Sequence, residues 1–211
     1  MLDLFDPQER VVIGEQAVLM RGRALAVDTA LLAAIDAIAG RASFRRMVTP
    51  GGYEMSVAMT NCGRVGWVTD RTGYRYAPHD PATGRPWPPL PDVFATLAHD
   101  AATEAGFADF FPDACLVNCY EPGARLSLHQ DKDEQDYRHP VVSVSLGLPA
   151  TFQFGGLKRG DRPLKVPLTH GDVVVWGGAS RLVFHGVLAL KDGDHPLTAR
   201  RRFNLTFRKA L

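Results

Sequence analysis

Cysteine is scarce in this chain of 211 residues: Cys62, Cys115 and Cys119 are odd in number and include no Cys-x-x-Cys pair. That excludes a disulfide framework and a cysteine-built zinc site, and three buried, reduced thiols are the expectation. A charge excess is missing too, because 24 Lys and Arg against 23 Asp and Glu leave a net charge of only +1. A protein that clamps a long duplex by neutralising phosphates carries a clear basic excess. Any nucleic acid bound here is therefore expected to be a short or single-stranded piece held by local contacts. No apolar run approaches a membrane span, and the start Met1-Leu2-Asp3-Leu4-Phe5-Asp6 is acidic where a secretion signal is basic. The expectation is a cytoplasmic monomer with no membrane partner. The chain also has no internal repeat.

Turn formers, by contrast, are plentiful: Gly 20 and Pro 15 against 45% hydrophobic residues describe one ordinary core built from short elements. Leu31, Leu32, Ile35 and Ile38 have helical spacing, which predicts a helix over 28–39 with Asp28 as its cap and Gly40 as its stop. A turn at Thr49-Pro50-Gly51-Gly52-Tyr53 precedes an alternating strand, Met55 to Thr60. Trp67, Tyr74 and Tyr76 follow among Gly63, Gly66, Gly73 and several arginines. Their spacing alone leaves two readings, a platform for stacking nucleobases or, more commonly, a small satellite core under a loop. A rigid proline-rich connection, Thr83 to Pro89, leads to a second helix over 91–105 with Gly106 as its stop. Beyond it the pattern becomes short strands: 115–120, 125–130, 141–148, 151–154, 172–176, 182–187 and 202–208. Strands so spaced, without helices between them, predict a jelly roll or barrel with a ligand site in its mouth.

Three stretches carry the candidate chemistry. In Leu126-Ser127-Leu128-His129-Gln130-Asp131, extended backbone sends His129 and Asp131 to one face. With a distant histidine, for which His185 is the nominee, they make the two-histidine-one-carboxylate set that holds non-haem Fe(II). In the last strand Arg202, Asn204, Thr206 and Arg208 share a face opposite Phe203, Leu205 and Phe207. That polar face is either wetted or a berth for a dianion, since guanidinium meets carboxylate in a two-pronged fork. Asn118 and Tyr120 alternate with apolar neighbours in the same way and are equally open to both readings. His79, His99, His139, His170 and His195 have no spaced partner and are read as noncatalytic, and Glu134 with Asp133 reads from its surroundings as a solvated acidic turn.

Taken together, these residues resemble the AlkB family of iron- and 2-oxoglutarate-dependent dealkylases. The resemblance is carried by Asn118-x-Tyr120 with Pro122-Gly123, His129-Gln130-Asp131-Lys132-Asp133, Ser143-Val144-Ser145-Leu146-Gly147, His185-Gly186 and Arg202-x-Asn204-x-x-x-Arg208. It extends upstream through Met47 to Tyr53 and Gly66-Trp67, covering most of the chain beyond about Phe44. It implies a mainly β fold with flanking helices, a double-stranded β-helix (cupin-like jelly roll). By this analogy 1–211 is a single domain, with a nucleotide-recognition lid and N-terminal helix in 1–89 and the catalytic core in 90–211.

The resemblance further implies Fe(II) on His129, Asp131 and His185, and 2-oxoglutarate on Asn118, Tyr120, Arg202, Asn204 and Arg208. Trp67, Tyr74, Tyr76, Asp133 and Arg159 would meet the substrate, which reverses the satellite-core reading of the aromatics. Lys132 and Arg125 are candidates for phosphate contacts. The implied reaction is oxidative dealkylation of N-alkylated bases, coupling O2 and 2-oxoglutarate decarboxylation to formaldehyde release. Its implied substrate is alkylated single-stranded DNA, with double-stranded DNA or RNA as further partners, because unstacking a base costs least in a single strand. The alternatives are the same chemistry on RNA or protein, a zinc hydrolase on the same three ligands, or a cupin-like binding module. A zinc hydrolase needs no keto-acid clamp, so Arg202 and Arg208 are the discriminating pair.

Overall fold

In the computed structural model, which describes residues 9–211, a wide antiparallel sheet is sandwiched between two helices and a smaller sheet. The acidic start, on which the absence of a secretion signal was argued, lies outside the described residues. In chain order the elements are β1 (Arg10–Gly14), β2 (Ala17–Met20), α1 (Asp28–Arg41), β3 (Arg45–Val48), β4 (Glu54–Gly63), β5 (Gly66–Asp70), β6 (Gly73–Ala77), α2 (Asp92–Glu104), β7 (Ala114–Tyr120), β8 (Leu126–His129), β9 (Val141–Gly147), β10 (Ala150–Phe154), β11 (Leu164–Leu168), β12 (Val173–Trp176), β13 (His185–Val187) and β14 (Arg202–Arg208). The major sheet runs β1-β2-β12-β9-β14-β7-β4-β3 and the minor sheet β11-β10-β13-β8, with β5-β6 a separate hairpin. This is the jelly roll that the spacing of short strands predicted. No helix among the described residues is long and apolar enough to cross a membrane.

Alternation along the central strands splits the interior into two cores. Phe203, Leu205 and Phe207 of β14 join Cys115 and Val117 of β7 and Val142 and Val144 of β9, and pack on Leu31, Ile35, Phe94 and Leu97 of the helices. Phe94 meets Phe207 edge-on, with centroids 5.7 Å apart, and burying a ring of this size stabilises by roughly 2–3 kcal/mol. The opposite face of the same strands turns toward the minor sheet, where Leu116, Tyr120 and Trp176 meet Phe152, Phe154 and Val187. Because both faces are covered, every residue of β14 is buried, including its polar ones. The wetted alternative for that face is thereby removed.

Local expectations fail where packing overrides a terminal signal. Gly40 lies inside α1, which continues to Arg41 before Ala42 closes it with a bond to the Ile38 carbonyl. Glycine's helix penalty of about 1 kcal/mol is small beside the buried stripe of Leu31, Ile35 and Ile38. Asp28 is the first helical residue and not the cap. That position belongs to Val27, which offers no side-chain bond. The Leu164–Leu168 strand went unread because Pro167 cannot join a central ladder, and β11 is indeed an edge. Gly106, by contrast, stops α2 as expected, at φ +97°.

Candidate active site

Two paired strands place the histidines. His129 ends β8, His185 opens β13, and the antiparallel register sets them directly opposite each other. A Cβ at position 186 would stand 2.7 Å from the Leu126 carbonyl oxygen, so the close approach of the two strands requires Gly186. The imidazole centroids are 4.4 Å apart. Each ring is oriented through Nδ1, which sits 2.9 Å from the Ser127 carbonyl in His129 and 3.0 Å from the Val183 carbonyl in His185. A carbonyl only accepts, so Nδ1 carries the proton in both rings and Nε2 keeps its lone pair. Those lone-pair nitrogens lie 3.9 Å and 3.8 Å from the two oxygens of Asp131. All three ligand atoms fall within 4.8 Å of one another, the one such group of His, Cys, Asp or Glu among the described residues.

The electrostatics suit a cation. Burial lowers the His185 pKa to about 4, with His129 adding to the effect, so this imidazole is neutral and ready to donate at neutral pH. Burial works to raise the Asp131 pKa but is overcome by Arg208, then by the two histidines, and the carboxyl stays well below its usual range. Arg208 grips Asp131 with both prongs, Nε at 3.0 Å and Nη2 at 2.9 Å. A carboxylate has about four lone-pair sites, so the fork leaves Asp131 capacity for a metal. Two imidazoles presenting Nε2 and one carboxylate on one side are the donor set that fits Fe(II) with further positions open.

Next to this cluster lies the polar face of β14. Register pairs Arg202 with Tyr120 and Gly147, and Asn204 with Asn118 and Ser145, so three neighbouring strands contribute to one patch. Asn204 is held by Ser143 at 2.8 Å and Arg202 by Ser145 at 2.9 Å. Asn118 reaches Asn204 Oδ1 at 3.3 Å, and Thr206 donates to the same oxygen at 3.0 Å. What remains has no protein partner: Arg202 Nε and Nη1, the Tyr120 hydroxyl and Asn118 Oδ1 are all buried without a hydrogen bond. The Arg202 guanidinium lies over the Tyr120 ring at 4.9 Å, and burial pushes the phenol up to about 12, so it stays a donor. Buried donors aimed at nothing are costly. A cation and a phenol in that state fit a carboxylate such as the distal one of a keto acid.

The two arginines that the sequence presents as one clamp thus differ. Arg208 is engaged on Asp131, whereas Arg202 keeps Nε and Nη1 free.

The aromatics lie on the β5-β6 hairpin. Trp67 and Tyr74 stack at 5.6 Å, and the indole N–H donates to Asp133 at 2.8 Å. Tyr76 instead turns inward, its hydroxyl donating to Glu134 at 2.6 Å, and burial raises its pKa well above the ordinary value. Arg159 donates to the Leu128 carbonyl at 2.6 Å and lies 5.0 Å over the Phe184 ring. Glu134 is not the solvated residue its acidic run suggested. It is buried, and Arg181 bonds it at 3.0 Å. Sequence reasoning missed Arg181, which no motif marks, and gave no role to Ser143 and Ser145, although they stand in one of the stretches that carry the resemblance. Of the other histidines, His99 stacks on Phe111 and His170 bonds Asp28 at 2.9 Å, away from the cluster.

Comparison with known proteins agrees with this geometry. A family profile for the 2OG-Fe(II) oxygenase superfamily matches residues 18–208. The alpha-ketoglutarate-dependent dioxygenase AlkB of Escherichia coli K12 is 59% identical over 214 residues, covering 100% of this chain and 98% of that one. The DNA N(6)-methyladenine demethylase ALKBH1C of Arabidopsis thaliana is 43% identical over 109 residues, 46% of this chain and 24% of that protein. The solved structure of OsALKBH1 superposes with a TM-score of 0.79 at 30% identity, covering 94% of this chain and 100% of that one.

Proposed function

The chain belongs to the 2OG-Fe(II) oxygenase superfamily, and from that premise we propose that it removes alkyl groups oxidatively from ring nitrogens of nucleic-acid bases, with single-stranded DNA as the preferred partner. The enzyme class, a dioxygenase dependent on Fe(II), 2-oxoglutarate and O2, follows from the family and from the full-length similarity to a named AlkB. The substrate rests on the site. The observation that carries it is the stacked Trp67–Tyr74 pair with the Asp133 carboxylate at the indole edge, two residues from Asp131. Such a pair offers a base a flat face and an acceptor for its exocyclic amine. The Arabidopsis relative is named for DNA, which makes DNA the first substrate to test.

In this reading His129, Asp131 and His185 hold Fe(II). Arg202 and Tyr120 take the distal carboxylate of 2-oxoglutarate, with Asn118, Asn204 and Arg208 completing the berth. Trp67, Tyr74 and Tyr76 bound the base and its strand from the β5-β6 hairpin, with Asp133 and Arg159 on the core side. The lid in this reading is that hairpin and not the whole segment before residue 90, whose β2 and β4 pair with β12 and β7 in the major sheet. An N-methyl group has no acidic proton and is no leaving group, so acids and bases alone do not remove it. When bound, Fe(II) with 2-oxoglutarate and O2 supplies oxidation of the methyl C–H bond, with succinate, CO2 and formaldehyde as products. The protein's own part is positional. Nδ1–H bonds aim the imidazoles, Arg208 keeps Asp131 ionised, and Arg202 orients the keto acid.

The test is formaldehyde and succinate release with Fe(II), 2-oxoglutarate and N-methylated oligonucleotides as single-stranded DNA, double-stranded DNA or RNA. Faster release from single-stranded DNA is expected. Release from RNA alone, or from neither, overturns the substrate assignment while leaving the enzyme class intact.

A further inference from the structure

The strand ladder that fixes the two histidines does not reach the third ligand. β8 ends at His129, and Asp131 lies two residues beyond it in a stretch without ladder bonds that continues to Pro140. Something else must hold the Asp131 backbone, and the residue in place to do so is Arg181. It is 2% exposed and spends all three nitrogens of its guanidinium on this one loop. Nη1 donates to the Asp131 carbonyl at 2.8 Å, Nη2 to Glu134 at 3.0 Å and Nε to the His139 carbonyl at 2.9 Å. The Tyr137 ring, 5.4 Å from Cζ, covers the group. Arg181 also precedes His185 by four positions, and Gln130 bonds the Leu182 carbonyl at 2.6 Å, so the two ligand-bearing segments are stitched together here. Through Glu134 the same network receives the Tyr76 hydroxyl from the β5-β6 hairpin.

We propose that Arg181 is a positioning residue for the metal centre: it sets the loop that presents Asp131 and, through Glu134 and Tyr76, makes metal affinity depend on the hairpin that covers the site. Asp131, Glu134, Arg181 and Arg208 form two buried acids balanced by two buried bases, their charged groups 2.9–3.5 Å apart. Removing one base leaves the loop without its anchor while both histidines stay on their ladder. Partners of this kind, one bond beyond the ligands, alter metal affinity by about 10–100-fold when lost. By linkage, a hairpin contact that stabilises the same loop shifts metal affinity in the same direction. The inference rests on the reading of His129, Asp131 and His185 as ligands.

The experiment is Co(II) titration of the metal-free protein, followed by visible absorption, with denaturant unfolding of the same samples. Arg181→Met, which keeps the stem and loses the donors, is expected to weaken Co(II) binding at least about 10-fold. Arg181→Lys should recover part of that, and Tyr76→Phe should weaken binding by a smaller factor, about 3-fold. Loss of stability with unchanged Co(II) affinity in the folded fraction overturns the proposal, because a merely structural arginine gives that result. Should Arg181→Met fail to fold, Glu134→Gln decides, since it removes the ion pair yet keeps an acceptor for Tyr76, and unchanged affinity there is equally fatal. His185→Ala tests the underlying reading separately. If it still binds Co(II) normally the ligand assignment fails, and if it does not, a null result at Arg181 counts against this proposal alone.

Discussion

The floor and the roof of the site are built by different physics. The floor, the shared face of β7, β9 and β14, is laced by consecutive ladder bonds and wholly buried. The roof, the β5-β6 hairpin, ladders to neither sheet. It hangs from side chains: Trp67 on Asp133, Tyr76 on Glu134, and the Asn61 amide clasping the Trp67 backbone with two bonds of 3.0 Å. A two-stranded hairpin is marginal alone. The difference teaches that the two histidines and the polar face of β14 are fixed by paired strands, while the aromatics proposed to meet the substrate, like the Asp131 loop, are held by a few side-chain bonds.

The comparison breaks most sharply at Arg208, which holds Asp131 in a fork and is proposed to complete the keto-acid berth as well. Arg208→Ala leaves Asp131 buried without its fork, and breaking a buried pair in this way costs about 3–5 kcal/mol. Lower unfolding free energy in denaturant and weaker Co(II) binding are both expected. Intact metal affinity with keto-acid binding lost would return Arg208 to the simple clamp that the sequence suggested.

Arg202→Met should behave differently although it lies on the same strand. It removes the free cation and is expected to lower 2-oxoglutarate affinity by about 1.5–3 kcal/mol, the worth of a charged hydrogen bond, or roughly 10–150-fold. Calorimetry should find Co(II) affinity unmoved and stability unchanged or higher, because the buried group had unpaired donors to begin with. A drop in metal affinity equal to that of Arg208→Ala would merge the two roles.

How much of this the sequence carried depends on periodicity. Alternation in 202–208 gave the strand to the residue and identified Arg202, Asn204 and Arg208 as one face, and His129-x-Asp131 with His185 was legible because metal chemistry restricts residue types. What alternation leaves undetermined is the fate of a polar face, since burial is set by a sheet folded over from elsewhere in the chain. Glu134 and Arg181 were illegible for a related reason. An acidic run and a lone arginine look solvated until distant segments, here forty-seven positions apart, are brought together. Charge pairs of that kind have no period.

At the roof, Trp67→Ala removes the stacking surface. Losing one base–aromatic stack costs about 1–3 kcal/mol, which should appear as a raised KM for a methylated oligonucleotide with the 2-oxoglutarate KM unchanged, while loss of the indole bond to Asp133 lowers Co(II) affinity only by the small factor expected for Tyr76→Phe. If succinate formation without substrate falls equally, the hairpin shapes the floor as well and the division between them is too clean.

The smallest effect should come from a joint remote from both. Asp28, in the first turn of α1, accepts a 2.9 Å bond from His170 in the turn before β12, with the His195 ring 4.6 Å from His170. That bond, aided by Thr29 and opposed by burial, holds the Asp28 carboxyl below its ordinary value of 3.8. A carboxyl depressed in the native state adds stability above its unfolded pKa and loses it as pH falls through the native one. Asp28→Asn should therefore cost about 0.5–1 kcal/mol near pH 6–7, the worth of a first-turn carboxylate, with the gap from the parent protein closing below pH 4. Denaturant midpoints measured from pH 7 to pH 3 check this, alongside unchanged Co(II) and oligonucleotide binding at pH 7. A gap that stayed constant with pH would mean that Asp28 acts by packing, and altered binding at pH 7 would mean that the helix layer reaches through the sheet to the site.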